Sequence, residues 1–237
     1  MEKERIVICR VQNENLFEKE DVVAVEQQIE IPLSDGTSIS VTCTPSHIEE
    51  IIVAKKYLAK DYDTKNCDAE DYDAKHYGTK ELQTYLQKTQ TLETLTCVEL
   101  KEIFEIARNS FEDPGSLFVE TGCAHACALV HRGEVVCCIE DIGRHNALDK
   151  VIGYAILHQI PMQECYVFTS GRISGDYLQK VFDAGFFMVE SRAAVTDRAV
   201  KLAKEHDITM LGFIRKNTGN IYHEGAVKLA EKRSAVK

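Results

Sequence analysis

The sequence predicts an α/β layer structure preceded by a small β-rich N-terminal unit, and three observations carry that prediction. From Leu117 onward, short apolar runs rich in β-branched and aromatic residues alternate with stretches whose apolar residues recur at helical spacing. Before that point, Ile29, Ile31 and Leu33 alternate with polar residues, Asp35-Gly36 offers a turn, and Ile39, Val41 and Cys43 resume the alternation, which is the pattern of a hairpin. Finally, 237 residues with 44% hydrophobic content can bury a real core, as one large domain or two small ones. Two are expected, spanning 1–116 and 117–237.

After the hairpin, Ser46 and Glu49 form a capping box behind Pro45 for a helix through Ile48, Ile51, Ile52 and Leu58. Next, Asp61-Tyr62-Asp63-Thr64-Lys65 recurs as Asp71-Tyr72-Asp73-Ala74-Lys75, with Cys67 between the copies. Two polar copies are too few for a solenoid, so 60–80 is expected to be an exposed, mobile loop. A second capping box, Thr96 with Glu99, starts a helix on Leu100, Ile103, Phe104 and Ala107, and Asp113-Pro114-Gly115 ends that region in a turn. Ala128-Leu129-Val130 and Val135-Val136 flank Arg132-Gly133 as a hairpin. The run Val135 to Ile139 then leads through Glu140-Asp141-Ile142-Gly143-Arg144-His145-Asn146 into a helix whose face carries Ala147, Leu148, Val151, Ile152, Ala155 and Ile156. Three more strands follow. They are Cys165 to Thr169, ending in Ser170-Gly171-Arg172-Ile173-Ser174; Phe186 to Val189, ending in Ser191-Arg192; and Thr209 to Phe213. Helices lie between them at about Tyr177 to Ala184 and Asp197 to His206.

Four strand ends therefore each deliver an arginine: Arg144, Arg172, Arg192 and Arg215. In a mostly parallel sheet those loops share one edge, the edge where α/β proteins bind ligands. A loop that feeds a helix N-terminus adds free N–H groups and a positive dipole end. Guanidinium groups pair with phosphate in a bidentate way, so the expected ligand carries several phosphates or is a phosphorylated cofactor. A net charge of −10 argues against the broad basic surface of nonspecific nucleic-acid binding. No apolar run approaches the ~18 to 20 residues of a membrane span. The segment Met1-Glu2-Lys3-Glu4-Arg5 also lacks the apolar core of a signal peptide, so a cytoplasmic protein without membrane partners is expected.

Nine cysteines, an odd number with Cys137 and Cys138 adjacent, suggest free thiols in a reducing compartment. Cys127, Cys137, Cys138 and Cys165 are expected to be packed as small buried residues. Cys123 follows Thr121-Gly122 at a break and is expected to be accessible. So is Cys67, although Asp63, Asp68, Glu70 and Asp71 should raise its pKa. Cys123, His125 and Cys127 share one strand face, but at ~3.3 Å rise per residue the outer pair is about 13 Å apart, too far to hold one tetrahedral zinc.

Thr121-Gly122-Cys123-Ala124-His125-Ala126, the string Glu140 to Lys150, Ser170-Gly171-Arg172-Ile173-Ser174 and Leu211-Gly212-Phe213 resemble successive motifs of the FdhD/NarQ family, the formate dehydrogenase accessory sulfurtransferases. The resemblance is specific from about Leu117 to Tyr222 and weaker, though collinear, from Ile29 to Leu58. It implies a cytidine-deaminase-like three-layer C-terminal domain beside a small α/β N-terminal domain, usually in a homodimer. It also implies a role, in which persulfide sulfur passes from a cysteine desulfurase to the molybdenum bis-guanine-dinucleotide cofactor before insertion into formate dehydrogenase. GDP would be a partial analogue of that cofactor. By similarity, Phe213-Ile214-Arg215-Lys216-Asn217-Thr218 occupies the family's cofactor-binding position. Together with the strand-end loops it makes a candidate binding set with Gly143, Arg144, His145, Ser170, Gly171, Arg172 and Arg192. One departure matters: family members usually carry sulfur on a Cys-Gly-x-Cys-type loop, and this sequence has no such pair. The carriers left are Cys67 and Cys123, and the alternative is a relative that binds the cofactor or a guanine nucleotide without transferring sulfur. A zinc deaminase is rejected and no metal ligands are assigned, because Arg144-His145-Asn146-Ala147 and Ser170 to Ser174 stand where that chemistry needs a glutamate and paired cysteines.

Overall fold

The computed structural model describes residues 2–12, 15–61, 84–85, 94–111 and 113–230. Most of the 60–80 segment, with its repeats and Cys67, lies outside the described residues.

The chain opens with an antiparallel hairpin of two ten-residue strands, β1 (Lys3–Gln12) and β2 (Asn15–Ala24). Sequence periodicity did not announce it, because apolar and charged residues share each face: Val7 lies opposite Glu20, and Arg10 opposite Phe17. The expected hairpin follows as β3 (Gln27–Pro32) and β4 (Ser38–Cys43), with Ile29 opposite Val41 and Ile31 opposite Ile39. Helix α1 (Ile48–Leu58) forms without the Ser46–Glu49 capping box. His47 is the N-cap, in a left-handed conformation, and the Ser46 hydroxyl donates instead to the Glu2 carboxylate, a charged and therefore stronger acceptor. The Thr96–Glu99 box is also absent. Residues Cys97–Glu99 form strand β5, paired in parallel with β12 (Lys228–Ala230), and helix α2 (Leu100–Asn109) begins only after Glu99. A five-residue helix, α3 (Leu117–Thr121), is capped by the Ser116 hydroxyl, which accepts from the Val119 N–H at 3.2 Å.

The main sheet contains β6 (His125–His131), β7 (Glu134–Asp141), β8 (Cys165–Thr169), β9 (Met188–Ser191), β10 (Thr209–Gly212) and β11 (Asn220–His223), in the order β11-β10-β9-β8-β6-β7. It is mixed rather than mostly parallel. Only β8–β9 and β9–β10 pair in parallel, while β6 runs against both neighbours and β11 runs against β10. The cause is the turn Arg132-Gly133, where φ is 51° and 81°; a two-residue turn of this kind can join only antiparallel strands. Since β6 is reversed relative to both β7 and β8, the strands β7, β8, β9 and β10 all point the same way.

Helices cover both faces of the sheet. Cys165 and Val167 of β8 face a core shared with α4 (Arg144–Leu157), α5 (Gly175–Asp183) and α6 (Asp197–Glu205), while Tyr166 and Phe168 face α2. Helix α1 lies against α4 so closely that a Cβ on Gly153 would overlap the Glu50 carbonyl. Two buried ionic groups fasten that junction. Lys150 meets Asp141 at 2.8 Å with Thr44 bonded to both, and Asp149 sits between Lys55 at 2.7 Å and Lys180 at 2.6 Å.

Candidate functional site

The shared direction of β7 to β10 brings all four arginine-bearing loops to one edge of the sheet, and the reversed β6 brings its N-terminus to the same edge. After β7, the Asp141 carboxylate accepts the Gly143 N–H at 2.9 Å and turns the chain into α4. The Arg144 side chain then crosses β6 to the loop after β8. Its Nη2 donates to the Ser174 hydroxyl at 3.2 Å, its stem lies on Gly171, where a Cβ would come within 2.9 Å, and its Nε is buried without a hydrogen-bond partner among the described residues. His145 pairs with Asp176 at 3.2 Å and lies edge-on to Tyr177. Burial, with Lys180 and Arg144 nearby, holds its pKa below the usual histidine value. Arg172 is exposed, whereas Ser170 is tied to β6 by accepting the Ala126 N–H at 2.9 Å.

The other two arginines are held by their own surroundings. Arg192 donates to the carbonyls of Ala107 and Ser110, both at 2.9 Å, and lies 5.2 Å over the Phe111 ring, so it also caps the end of α2. Arg215 donates to the Arg192 carbonyl, and its own N–H closes a turn on the Thr218 carbonyl at 2.7 Å. The Lys216 carbonyl and the Asn217 side chain accept from Arg108, both at 2.9 Å. Phe213 is exposed in a left-handed conformation, and Ile214 is buried beneath it.

Between these loops lies a cleft of about 470 Å³ whose wall includes Phe111, His125, Ser170, Arg192, Arg215 and Lys216. A second lobe of about 420 Å³ shares Phe111, Ala126 and Glu140 with it and is otherwise lined by neutral or acidic residues such as Ser116, Cys138 and Asp113. Glu140 is committed to structure: its carboxylate accepts the N–H groups of Leu117 at 2.6 Å and Phe118 at 3.1 Å. The cleft is thus cationic on the β9–β10 side, and its size is that of a small-molecule site. Of the candidate binding set, Ser170, Arg192, Arg215 and Lys216 line the cleft; Gly143, Arg144, His145, Gly171, Arg172, Phe213, Ile214, Asn217 and Thr218 stand in the loops around it.

Cys123 is exposed just after Gly122, whose φ of 68° turns the chain out of α3, one residue before Ala124 of the cleft wall. Cys127 and Cys165 are buried, as expected, and burial pushes the Cys165 and Cys137 thiols up to about 12. Cys138 departs from the expectation: it stands exposed on β7, the edge strand, in the wall of the second lobe, and local burial with Glu140 nearby raises its thiol to about 12.

His125 is the cleft residue that sequence reasoning passed over, having weighed it only as a metal ligand. The signal was present in the tight Arg132-Gly133 turn, because a reversed β6 must start where β7 and β8 end.

Residues 54–227 match the family model described as the FdhD/NarQ family. The chain belongs to the FdhD/NarQ family. Within that family, a Bacillus pumilus protein named sulfur carrier protein FdhD is 37% identical over 147 residues, 58% of this chain and 53% of the relative, so that match spans about half of the relative's length. A Bacillus licheniformis protein of the same name is 28% identical over 245 residues, covering 91% of this chain and 93% of the relative. A crystal structure from Desulfotalea psychrophila, described as a formate dehydrogenase accessory protein, shares the fold, with a TM-score of 0.73 at 22% identity over 93% of this chain and 96% of that one.

Proposed function

We propose that this protein serves formate dehydrogenase maturation by binding the molybdenum bis-guanine-dinucleotide cofactor as cargo in the strand-end cleft and passing sulfur to it. The observation that carries the reading is the convergence of Arg192, Arg215, Lys216 and His125 on one cleft, with Arg144 and Arg172 beside it, in a chain of net charge −10. Five cationic side chains clustered at one edge of an acidic protein suit a local polyanion. Support also comes from relatives named sulfur carrier protein. Among the described cysteines, exposed Cys123 beside the cleft suits the carrier role: its thiolate would attack the outer sulfur of a desulfurase persulfide, forming one S–S bond as the donor's breaks and the donor thiolate leaves. Delivery to the metal as sulfide consumes two electrons from a thiol reductant. A cytidine-deaminase-like arrangement of the C-terminal domain and a homodimer accompany the reading through the family resemblance, and a cytoplasmic setting through the expectation drawn from the sequence. No helix among the described residues is long and apolar enough to cross a membrane.

The second reading, cofactor or nucleotide binding without sulfur transfer, is favoured by the missing Cys-Gly-x-Cys pair. Calorimetry with GDP tests the site: Arg144→Ala and Arg215→Ala should each weaken binding about tenfold or more, the scale of one lost charge-assisted contact, and unchanged affinity in both rejects the cleft. Mass spectrometry after incubation with a cysteine desulfurase and cysteine separates the two readings. A +32 Da adduct on Cys123 or Cys67 supports transfer, and its absence from both leaves binding alone.

A further inference from the structure

We propose that His125 is a direct ligand of the bound phosphate and takes up one proton as the phosphate binds. The inference rests on the nucleotide-binding reading above. His125 opens β6 at the convergence of the four loops, half-buried in the cleft wall, and its ring makes no hydrogen bond to any described residue. The charged groups around it come from every neighbouring element. Arg144 of α4 and Arg172 after β8 lie close enough to act on its charge, and Arg192, Arg215 and Lys216 line the same cleft. The acidic neighbours on β7 are already engaged, Glu140 by the α3 N–H groups and Asp141 by Lys150 and Thr44. In the free protein, burial and the Arg144 and Arg172 charges hold the imidazole below its ordinary pKa, so it is neutral at pH 7.

A phosphate seated among those cations reverses the balance, since its negative charge favours the imidazolium. The chemistry is a single protonation: the unprotonated ring nitrogen gains a proton from solvent, an N–H bond forms, and that N–H donates to a phosphate oxygen. No electron moves and no ligand bond breaks.

Calorimetric titration of GDP into the whole chain, in buffers of different ionisation enthalpy from about pH 6 to about pH 8.5, reads the proton count directly. The terminal phosphate of GDP titrates near pH ~6 and contributes a background. The expected result is an uptake above that background approaching about one proton per GDP, lost in His125→Gln, with wild-type affinity falling by up to about tenfold per pH unit across the window. Equal uptake in His125→Gln overturns the inference while the site stands. A wild-type protein that does not bind GDP overturns the site reading and this inference with it. Should the variant fail to fold, NMR titration of the His125 ring in the unaltered protein decides: its midpoint must move to higher pH when GDP is bound, and an unmoved midpoint overturns the proposal.

Discussion

Glu190 carries both carboxylate oxygens into the core on β9, with no hydrogen-bond partner among the described residues. Burial, aided by Glu102 nearby, raises its pKa well above the ordinary carboxylate value, so it is held as the neutral acid. The folded state therefore keeps a proton that the unfolded chain gives up above about pH 4.3, and stability must fall as pH climbs from there toward the folded pKa. Glu190→Gln should raise the melting temperature at pH 8 and leave it nearly unchanged at pH 4, as read by thermal denaturation across pH; a drop at pH 8 rejects the account. Nothing in the sequence marks Glu190, since Met188-Val189-Glu190-Ser191 is a run that could turn either face inward. Thiols obey the same logic of burial. Brief alkylation of the native protein should modify exposed Cys9, Cys97 and Cys123, and leave Cys43, Cys127 and Cys165 intact until denaturant is added, as counted by peptide mass.

Among the elements, strands and their arginine-bearing ends were legible because β-branched runs such as Cys165 to Thr169 have few other ways to be buried. The two capping boxes were not, since Ser46 and Thr96 have partners distant in sequence: Glu2 for one, the β12 backbone for the other. Local spacing cannot weigh such competitors. Helix contacts were equally hidden. Gly153 sits inside α4, where glycine costs roughly 1 kcal/mol against alanine in isolation, yet here only a bare Cα lets α1 approach. Gly153→Ala should therefore destabilise the protein by roughly 1 to 3 kcal/mol, seen as a lower denaturant midpoint at constant slope. Gly115→Ala, whose Cβ would meet only Asp113 at 3.5 Å, should change the midpoint little.

At the scale of the whole molecule, the shared edge depends on a reversed β6: the Arg132-Gly133 turn sets β6 against β7, and β6 runs against β8 as well, so β7 points with β8, β9 and β10. Sequence reasoning put the four arginine loops on one edge, as the structure does, but from a mostly parallel sheet where the actual sheet is mixed. What it could not see was which arginines are spoken for: Arg192 is rooted in α2, a helix that precedes the α/β half of the chain. The string Glu140 to Lys150 divides in the same way. Arg144 and His145 turn toward the segment after β8, where they meet Ser174 and Asp176, while Asn146 donates to the Thr42 carbonyl at 2.7 Å and Lys150 to the Thr44 hydroxyl at 2.6 Å, both in the N-terminal part of the chain. Half of that string is thus a clasp, and its heredity should differ from that of the other half. Through evolutionary drift, positions 44, 141 and 150 are bound to change as a set, whereas 144 and 145 answer to Ser174 and Asp176 after β8.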